Sequence, residues 1–88
     1  MPYITQSERK ALDPHIKTLI DAMNEEMLYT VAGNFTYIVY RLLRTFFMGH
    51  FWTRALGIGC LICAILEIYR REHGPYENEA IKRNGDVL

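Results

Sequence analysis

Apolar and polar residues recur with the 3.6-residue period of an α-helix along three stretches of the chain. In the first stretch the apolar positions, separated by polar ones, are Ile16, Leu19, Ile20 and Met23. Asp13 can cap this helix, and Pro14 suits its first turn because the amide that proline lacks would be unpaired there. The pattern predicts an amphipathic helix over residues 14–25, preceded by an ordered arm at residues 1–12.

The second predicted helix covers residues 35–48, and apolar side chains occupy most of its circumference. The preceding residues, 25–34, form an apolar connection that ends in the turn signal Gly33-Asn34. The pattern leaves open whether this connection belongs to a core or to an exposed docking strip. Arg41 and Arg44 lie three residues apart and share the remaining polar edge of the helix.

The third predicted helix covers residues 54–73, with Thr53 as its cap and Gly74-Pro75 after its end. From Leu56 to Leu66 it has no polar face, and a helix that is apolar all round must be buried all round. Two short helices can hardly surround it, so we expect a second subunit to do so. The predicted oligomer interface, which includes a row of small residues, is Leu56, Gly57, Cys60, Leu61, Ala64, Ile65 and Ile68.

The fold class predicted from these elements is all-α. Three main helices and a short helical turn in the tail, residues 75–88, form a single domain over residues 1–88 that assembles as a homo-oligomeric helical bundle. A chain of 88 residues buries little surface by itself, and short domains often gain stability from oligomerisation. This agrees with the partner subunit expected at the third helix.

Composition favours a cytoplasmic protein. The chain has two cysteines, too few for a disulfide framework, and its first residues lack the basic and apolar regions of a signal peptide. The charge-free run Ala55–Leu66 is 12 residues long, whereas a membrane span needs about 20. We therefore predict a cytoplasmic location and regard a membrane association as the less favoured alternative.

The charges cancel at ten acids and ten bases, but they are unevenly placed. Residues 27–66 contain three arginines, Arg41, Arg44 and Arg54, and no acid. These arginines must pair with distant acids, with a neighbouring subunit or with an anionic ligand. Both flanks of the chain carry more acids than bases and would repel phosphate, which argues against binding to duplex nucleic acid.

A basic and aromatic edge on the second helix is the one candidate ligand site. Guanidinium groups can hold phosphates while tyrosine rings stack on bases, so the predicted site for a nucleotide comprises Tyr37, Tyr40, Arg41, Arg44 and Arg54. The alternative is a partly buried network of salt bridges that joins helices or subunits. The sequence favours the salt-bridge network.

No motif in the chain indicates catalysis, a metal or a cofactor. Cys60 and Cys63 match the C-x-x-C spacing, but they lie in mid-helix among leucine and isoleucine, where cysteines commonly serve as small core residues. His15, His50 and His73 are widely scattered and do not complete a set of zinc ligands. We predict a protein that is not an enzyme.

Several segments resemble a family of short, uncharacterised proteins found mainly in bacteriophage and bacterial genomes. The shared segments cover most of the chain and are Met1-Pro2-Tyr3-Ile4, Thr36-Tyr37-Ile38-Val39-Tyr40-Arg41-Leu42, Ile58-Gly59, Glu67-Ile68-Tyr69-Arg70-Arg71, Pro75-Tyr76-Glu77 and Asn84-Gly85-Asp86-Val87. This chain departs from the family pattern at Ile62 and Ile65, which replace a glutamate and a lysine, and at Thr36 and Tyr40, which replace an asparagine and a threonine. The third helix of this chain is therefore more apolar than the corresponding helix of the similar proteins.

The resemblance implies a phage origin and a helical fold, with no associated chemistry. Small phage accessory proteins often act by blocking a host factor, so the expected function is stoichiometric binding of a host protein, for instance a component of antiviral defence. One alternative is an oligomeric sponge that sequesters a nucleotide signalling molecule at Arg41, Arg44, Arg54 and the neighbouring tyrosines. A further alternative is a membrane-associated helical hairpin.

Overall fold

The computed structural model describes residues 3–24 and 27–88, and every regular element in that part of the chain is helical. The elements in chain order are α1 (Gln6–Met23), α2 (Leu28–Phe46), α3 (Phe51–Ile68), a five-residue π-helical segment (Tyr69–His73) and α4 (Gly74–Asn84). The all-α prediction is thereby confirmed. The first two residues of the predicted arm and the predicted helix end at position 25 lie outside the described residues.

Contacts divide the chain into two units, and the division falls within α3. The first unit, residues 3–57, contains α1, α2 and the first two turns of α3. The second unit, residues 58–88, contains the rest of α3, the π-helical segment and α4. The single domain and the homo-oligomeric packing expected from the sequence stay predictions.

Helix α1 begins eight residues before the predicted start, because a capping box initiates it. The Thr5 hydroxyl accepts a hydrogen bond from the Glu8 amide at 3.2 Å, and the Glu8 carboxylate accepts one from the Thr5 amide at 3.2 Å. These two bonds satisfy amides that the first turn would otherwise leave unpaired. Pro14 lies inside the helix instead of at its start, so the predicted arm is helical from Gln6 onward.

Replacing Thr5 by alanine is expected to cost about 1 kcal/mol of helix stability, because the hydroxyl that accepts the hydrogen bond from the Glu8 amide is lost. The hydrogen bonds from Thr5 lower the pKa of Glu8 below its usual 4.5. The contribution of the Glu8 carboxylate to helix stability is therefore fully present above the usual pKa of a glutamate. It is lost as the pH falls through the lowered pKa of Glu8. Far-UV circular dichroism during acid titration measures this, with Gln6→Ala as the control. Equal helicity of the Thr5→Ala and Gln6→Ala variants at neutral pH would contradict the prediction.

Helix α2 begins at Leu28, so the predicted connection and its Gly33-Asn34 turn are wrong. Gly33 has ordinary helical geometry here, because apolar residues continue at helical spacing on both sides of it. The half-buried positions form a stripe along one face of the helix at Val31, Asn34, Ile38, Val39, Leu43 and Phe47. A partly covered face of this kind outweighs the cost of one glycine in a helix.

Helix α3 begins at Phe51, three residues before the predicted start, and Gly57 in its second turn lies against Leu43 of α2 and Phe47 just after it. The Thr53 hydroxyl accepts a hydrogen bond from the His50 amide at 3.1 Å and donates one to the His50 carbonyl at 2.8 Å. Thr53 therefore caps α3 from inside its first turn, whereas the sequence predicted it just before the helix. Gly57 is the one residue in the described part of the chain that is buried.

The chain stays helical beyond the predicted stop at Gly74-Pro75, because one wide turn separates α3 from α4. In the π-helical segment the Gly74 amide donates to the Tyr69 carbonyl, five residues earlier. The wider turn makes room for the Pro75 ring, which a regular α-turn would press against a carbonyl of the preceding turn. The predicted short turn in the tail is consequently an 11-residue helix, which ends at Gly85 with a φ of 89°.

Candidate functional site

Tyr37 and Arg41 form a joined pair on the exposed surface of α2. One guanidinium nitrogen of Arg41 donates a hydrogen bond to the Tyr37 hydroxyl at 2.8 Å, and the guanidinium carbon lies 5.8 Å from the centre of the tyrosine ring. The two residues are four apart in one helix, which places their side chains side by side. This part of the predicted anion site is therefore already assembled within a single helix.

Tyr40 and Arg44 extend this surface by one helical turn, and the four residues together are named the α2 anion edge. Both added side chains are exposed, and in the described part of the chain neither Arg41 nor Arg44 has an acidic partner. Glu67, the first acid after the acid-free residues 27–66, forms an ion pair with Arg70. The edge thus offers two guanidinium groups and two aromatic rings to solvent.

Arg54 lies apart from the α2 anion edge in its interactions. It is exposed in the first turn of α3, and its amide donates to the His50 carbonyl at 3.1 Å. Within residues 3–24 and 27–88, no hydrogen bond, ion pair or ring contact joins Arg54 to the other four predicted residues. The structure therefore brings together four of the five residues of the predicted site.

Gly57, predicted to face another subunit, is buried against its own chain. A Cβ atom at this position would lie 2.8 Å from Phe47 Cγ, 2.9 Å from Phe47 Cβ and 3.0 Å from Leu43 Cδ2. The small residue therefore serves the close approach of α2 to α3, which corrects its assignment to the oligomer interface. Cys60 and Leu61 are half-buried, whereas the exposed members of the predicted interface are Leu56, Ala64, Ile65 and Ile68.

The cysteines and histidines have surroundings that fit packing and aromatic contacts. Cys60 and Cys63 are free thiols, both half-buried. The His50 ring stacks parallel to the Trp52 ring at a centroid distance of 6.5 Å, and the His73 ring lies 5.2 Å from that of Tyr69. Across the described residues, no group of three or more histidine, cysteine, aspartate or glutamate side chains could hold a metal ion.

An exposed apolar surface at the start of α2 is the feature that the sequence left undecided. Met27, Leu28 and Tyr29 are 77%, 80% and 90% exposed, and Phe35 two turns later is exposed as well. These four residues are named the α2 strip. From Met27 to Tyr40 the sequence carries no charged residue, and this neutral run with its four aromatic side chains was the signal available beforehand.

A groove in the second unit was not anticipated from the sequence. It encloses about 440 Å³, is wide open to solvent and is lined by Ile65, Ile68, Tyr69, Glu72, His73 and Tyr76. His73 also forms an ion pair with Glu77, with 3.3 Å between Nε2 and Oε1. All of these residues come from the continuous run of α3, the π-helical segment and α4, so the groove is a depression along one helical rod.

One helix satisfies the length and composition of a membrane-crossing segment. It lies within the continuous helical run Phe51–Asn84, and 6% of its most apolar 18-residue window is buried within the chain. Core helices of soluble proteins satisfy the same criterion, so this property alone does not distinguish a bilayer from a protein environment. The low burial does show that α3 has large apolar side chains available for further contacts.

Comparison with known proteins places the chain in a sequence family. A family model described as a domain of unknown function (DUF6899) matches residues 1–87, which is nearly the whole chain. No curated protein and no solved structure shows significant similarity to it.

Proposed function

The chain belongs to the DUF6899 family, and we propose that it acts by binding a host protein stoichiometrically, as a phage-type accessory protein that blocks its partner. Turnover of a substrate is no part of this proposal. The partner is a protein of the bacterial cell, for instance a component of antiviral defence. The resemblance to short proteins of bacteriophage genomes supports the phage-type setting.

The observation that carries the proposal is how little of the described chain is buried. The large apolar side chains of α2 and α3 are exposed along most of both helices. Exposed apolar patches of this extent on small soluble proteins usually mark surfaces that contact other proteins. A protein built this way gains stability when another surface covers these side chains, which suits a binder.

The α2 strip is the surface that we assign to the host partner. Leu28 and Phe35 are seven residues apart and therefore share one face of the helix, next to the almost fully exposed ring of Tyr29. Methionine and aromatic side chains are enriched and charges are depleted at the centres of protein interfaces. The strip has this composition, with no charged residue between Met27 and Tyr40.

Native mass spectrometry of the tagged chain, purified without detergent from cells of its bacterial host, tests the proposal. The expected result is a complex with one host protein in an integer ratio, which separates into the two polypeptides under denaturing conditions. The purified partner is then mixed with the chain to confirm the ratio by titration. Absence of any host protein from the purified material would overturn the proposal, as would a chain that carries only extra small-molecule mass.

A second candidate function, sequestration of a nucleotide signal, is supported by the α2 anion edge. The hydrogen bond between Arg41 and Tyr37 holds one guanidinium in place, while Tyr40 and Arg44 stay exposed beside it. Planar guanidinium groups bind phosphate through two parallel hydrogen bonds, and tyrosine rings can stack on bases. Two such edges on neighbouring subunits would each hold one of the two nucleotides of a cyclic dinucleotide.

If the edge binds a nucleotide, Arg41→Ala is expected to weaken the affinity about 10- to 150-fold, since a charge-assisted pair contributes about 1.5–3 kcal/mol. Fluorescence anisotropy with a labelled cyclic adenine dinucleotide measures the effect. Lys10→Ala, which removes an exposed cation from α1, is the matched control. Equal affinity of the Arg41→Ala and Lys10→Ala variants would exclude the edge as the nucleotide site.

A further inference from the structure

We propose that Asn84 is a site of spontaneous covalent modification, at which the backbone nitrogen of Gly85 converts the asparagine into aspartate and isoaspartate. Asn84 is the last residue of α4, and the residues after it have no regular structure. Among the asparagines of the sequence Asn84 alone is followed by glycine, and its side chain is exposed. The inference is independent of the host-protein proposal, since it concerns a reaction within the chain itself.

The reaction needs only water and the two neighbouring residues. The Gly85 backbone nitrogen gives its proton to solvent and attacks Cγ of Asn84, and the bond from Cγ to the side-chain nitrogen breaks to release ammonia. Water then cleaves one of the two C–N bonds of the resulting cyclic imide. Cleavage at Cγ gives aspartate in an ordinary backbone, whereas cleavage at the main-chain carbonyl carbon gives isoaspartate, whose backbone runs through Cβ and Cγ. Overall one water is consumed and one ammonia is released, and no atom is oxidised or reduced.

The surroundings of Gly85 leave its backbone nitrogen accessible to the Asn84 side chain. Glycine carries no Cβ atom that would crowd the nitrogen, and even a Cβ atom built at Gly85 would meet nothing within 4 Å. Its φ of 89° lies in the region that favours glycine, so this residue suits the helix end as well as the reaction. Within the described residues the Asn84 carboxamide forms no hydrogen bond, so nothing holds it away from the backbone.

The last turn of α4 controls the rate of the reaction. The Gly85 amide donates a hydrogen bond to the Ile81 carbonyl at 2.8 Å, and ring closure requires that nitrogen without its proton. The turn must therefore open first, which an exposed helix end does readily. Because one backbone hydrogen bond shifts such an equilibrium about fivefold, we expect Asn84 to react about fivefold more slowly in the folded chain than in the unfolded chain.

The modification reverses the electrostatic fit at the end of α4. Lys82 and Arg83 lie in its last turn, where cations interact favourably with the helix dipole. A carboxylate at position 84 interacts unfavourably with the same dipole, and an isoaspartate adds a backbone carbon that a regular turn cannot accommodate. The modified chain therefore frays in the turn where the Arg83 guanidinium carbon lies 6.0 Å from the centre of the Tyr76 ring.

Mass spectrometry of the full chain, incubated at neutral pH with and without urea and then digested with chymotrypsin, tests the proposal. The peptide that follows Tyr76 contains both Asn84 and Asn78, which is exposed in the same helix but followed by glutamate and serves as the internal control. Asn84 is expected to convert in both samples, about fivefold faster in urea, while Asn78 stays intact. An Asn84 that stays intact in the native chain after the urea sample has converted completely would overturn the proposal. Equal rates with and without urea would overturn the control by the last turn.

The variant Asn84→Asp reproduces the aspartate product and tests its effect on the helix end. Hydrogen exchange of the Gly85 amide, relative to its rate in the unfolded chain, is expected to be about two- to fivefold faster than in the wild-type chain. Asn78→Asp adds the same charge earlier in α4 and is the matched control, with exchange at the wild-type rate. Equal exchange rates for the two variants would overturn the fraying of the last turn.

Discussion

Replacing Gly57 by valine is expected to lower the free energy of unfolding by about 2–3 kcal/mol, because there is no room for a side chain between α3 and α2. A Cβ atom would lie 2.8 Å from Phe47 Cγ and 3.0 Å from Leu43 Cδ2. Phe47 Cβ would lie at 2.9 Å, and this atom moves only if the backbone moves with it. The first unit would lose the close approach between its two most apolar helices.

Gly33→Ala is the matched control for this prediction, since a Cβ atom at Gly33 would meet nothing within 4 Å. It is expected to stabilise the chain by about 0.5–1 kcal/mol, the usual gain when alanine replaces glycine inside a helix. Urea denaturation followed by circular dichroism measures both variants. The prediction is contradicted if Gly57→Val unfolds at the same urea concentration as the wild-type chain.

Replacing Tyr29 by glutamate is expected to weaken binding of the host protein at least about 30-fold, which corresponds to the 2 kcal/mol or more that defines an energetic hot spot. Tyr29 is the most exposed aromatic residue of the α2 strip, and a buried carboxylate in its place would lack a partner at the centre of the interface. The fold should be preserved, because an acidic residue in the first turn of a helix interacts favourably with the helix dipole.

Thr30→Glu is the control for this effect, since it adds the same charge to the same turn at an exposed position outside the strip. Isothermal titration calorimetry with the purified partner gives the affinity of each variant. Binding should be near the wild-type level for Thr30→Glu and lost for Tyr29→Glu. Equal affinities for the two variants would show that the partner contacts a different surface.

The helical content was predictable from residue spacing, but helix starts depended on caps that the sequence contains and that competing signals obscured. Thr5 and Glu8 have the spacing of a capping box, yet the Asp13-Pro14 pair resembled a start and led to the wrong boundary. Gly33-Asn34 was a second misleading local signal, because this residue pair is typical of turns. At Pro14 the capping box upstream outweighed the local start signal, and at Gly33-Asn34 the longer apolar stripe outweighed the local breaker.

The candidate site was predictable only as far as it lies within one helix. Tyr37 and Arg41 are four residues apart, so their contact follows from helical geometry alone. The place of Arg54 depends on how the chain turns between α2 and α3, and the pattern does not encode that turn. The burial of Gly57 against Phe47 likewise depends on tertiary packing, so a row of small residues was assigned to the wrong neighbour.

The π-helical segment Tyr69–His73 fixes the direction in which the side chains of α4 point. A wide turn holds one residue more than a regular α-turn, so loss of a single residue there would rotate α4 by about 100° around the helix axis and redirect Tyr76 and the charges of α4. The same loss would place Pro75 in a regular α-turn, where its ring would press against a carbonyl of the preceding turn. The length of this one segment therefore sets the orientation of the α4 surface and spares the helix a proline clash.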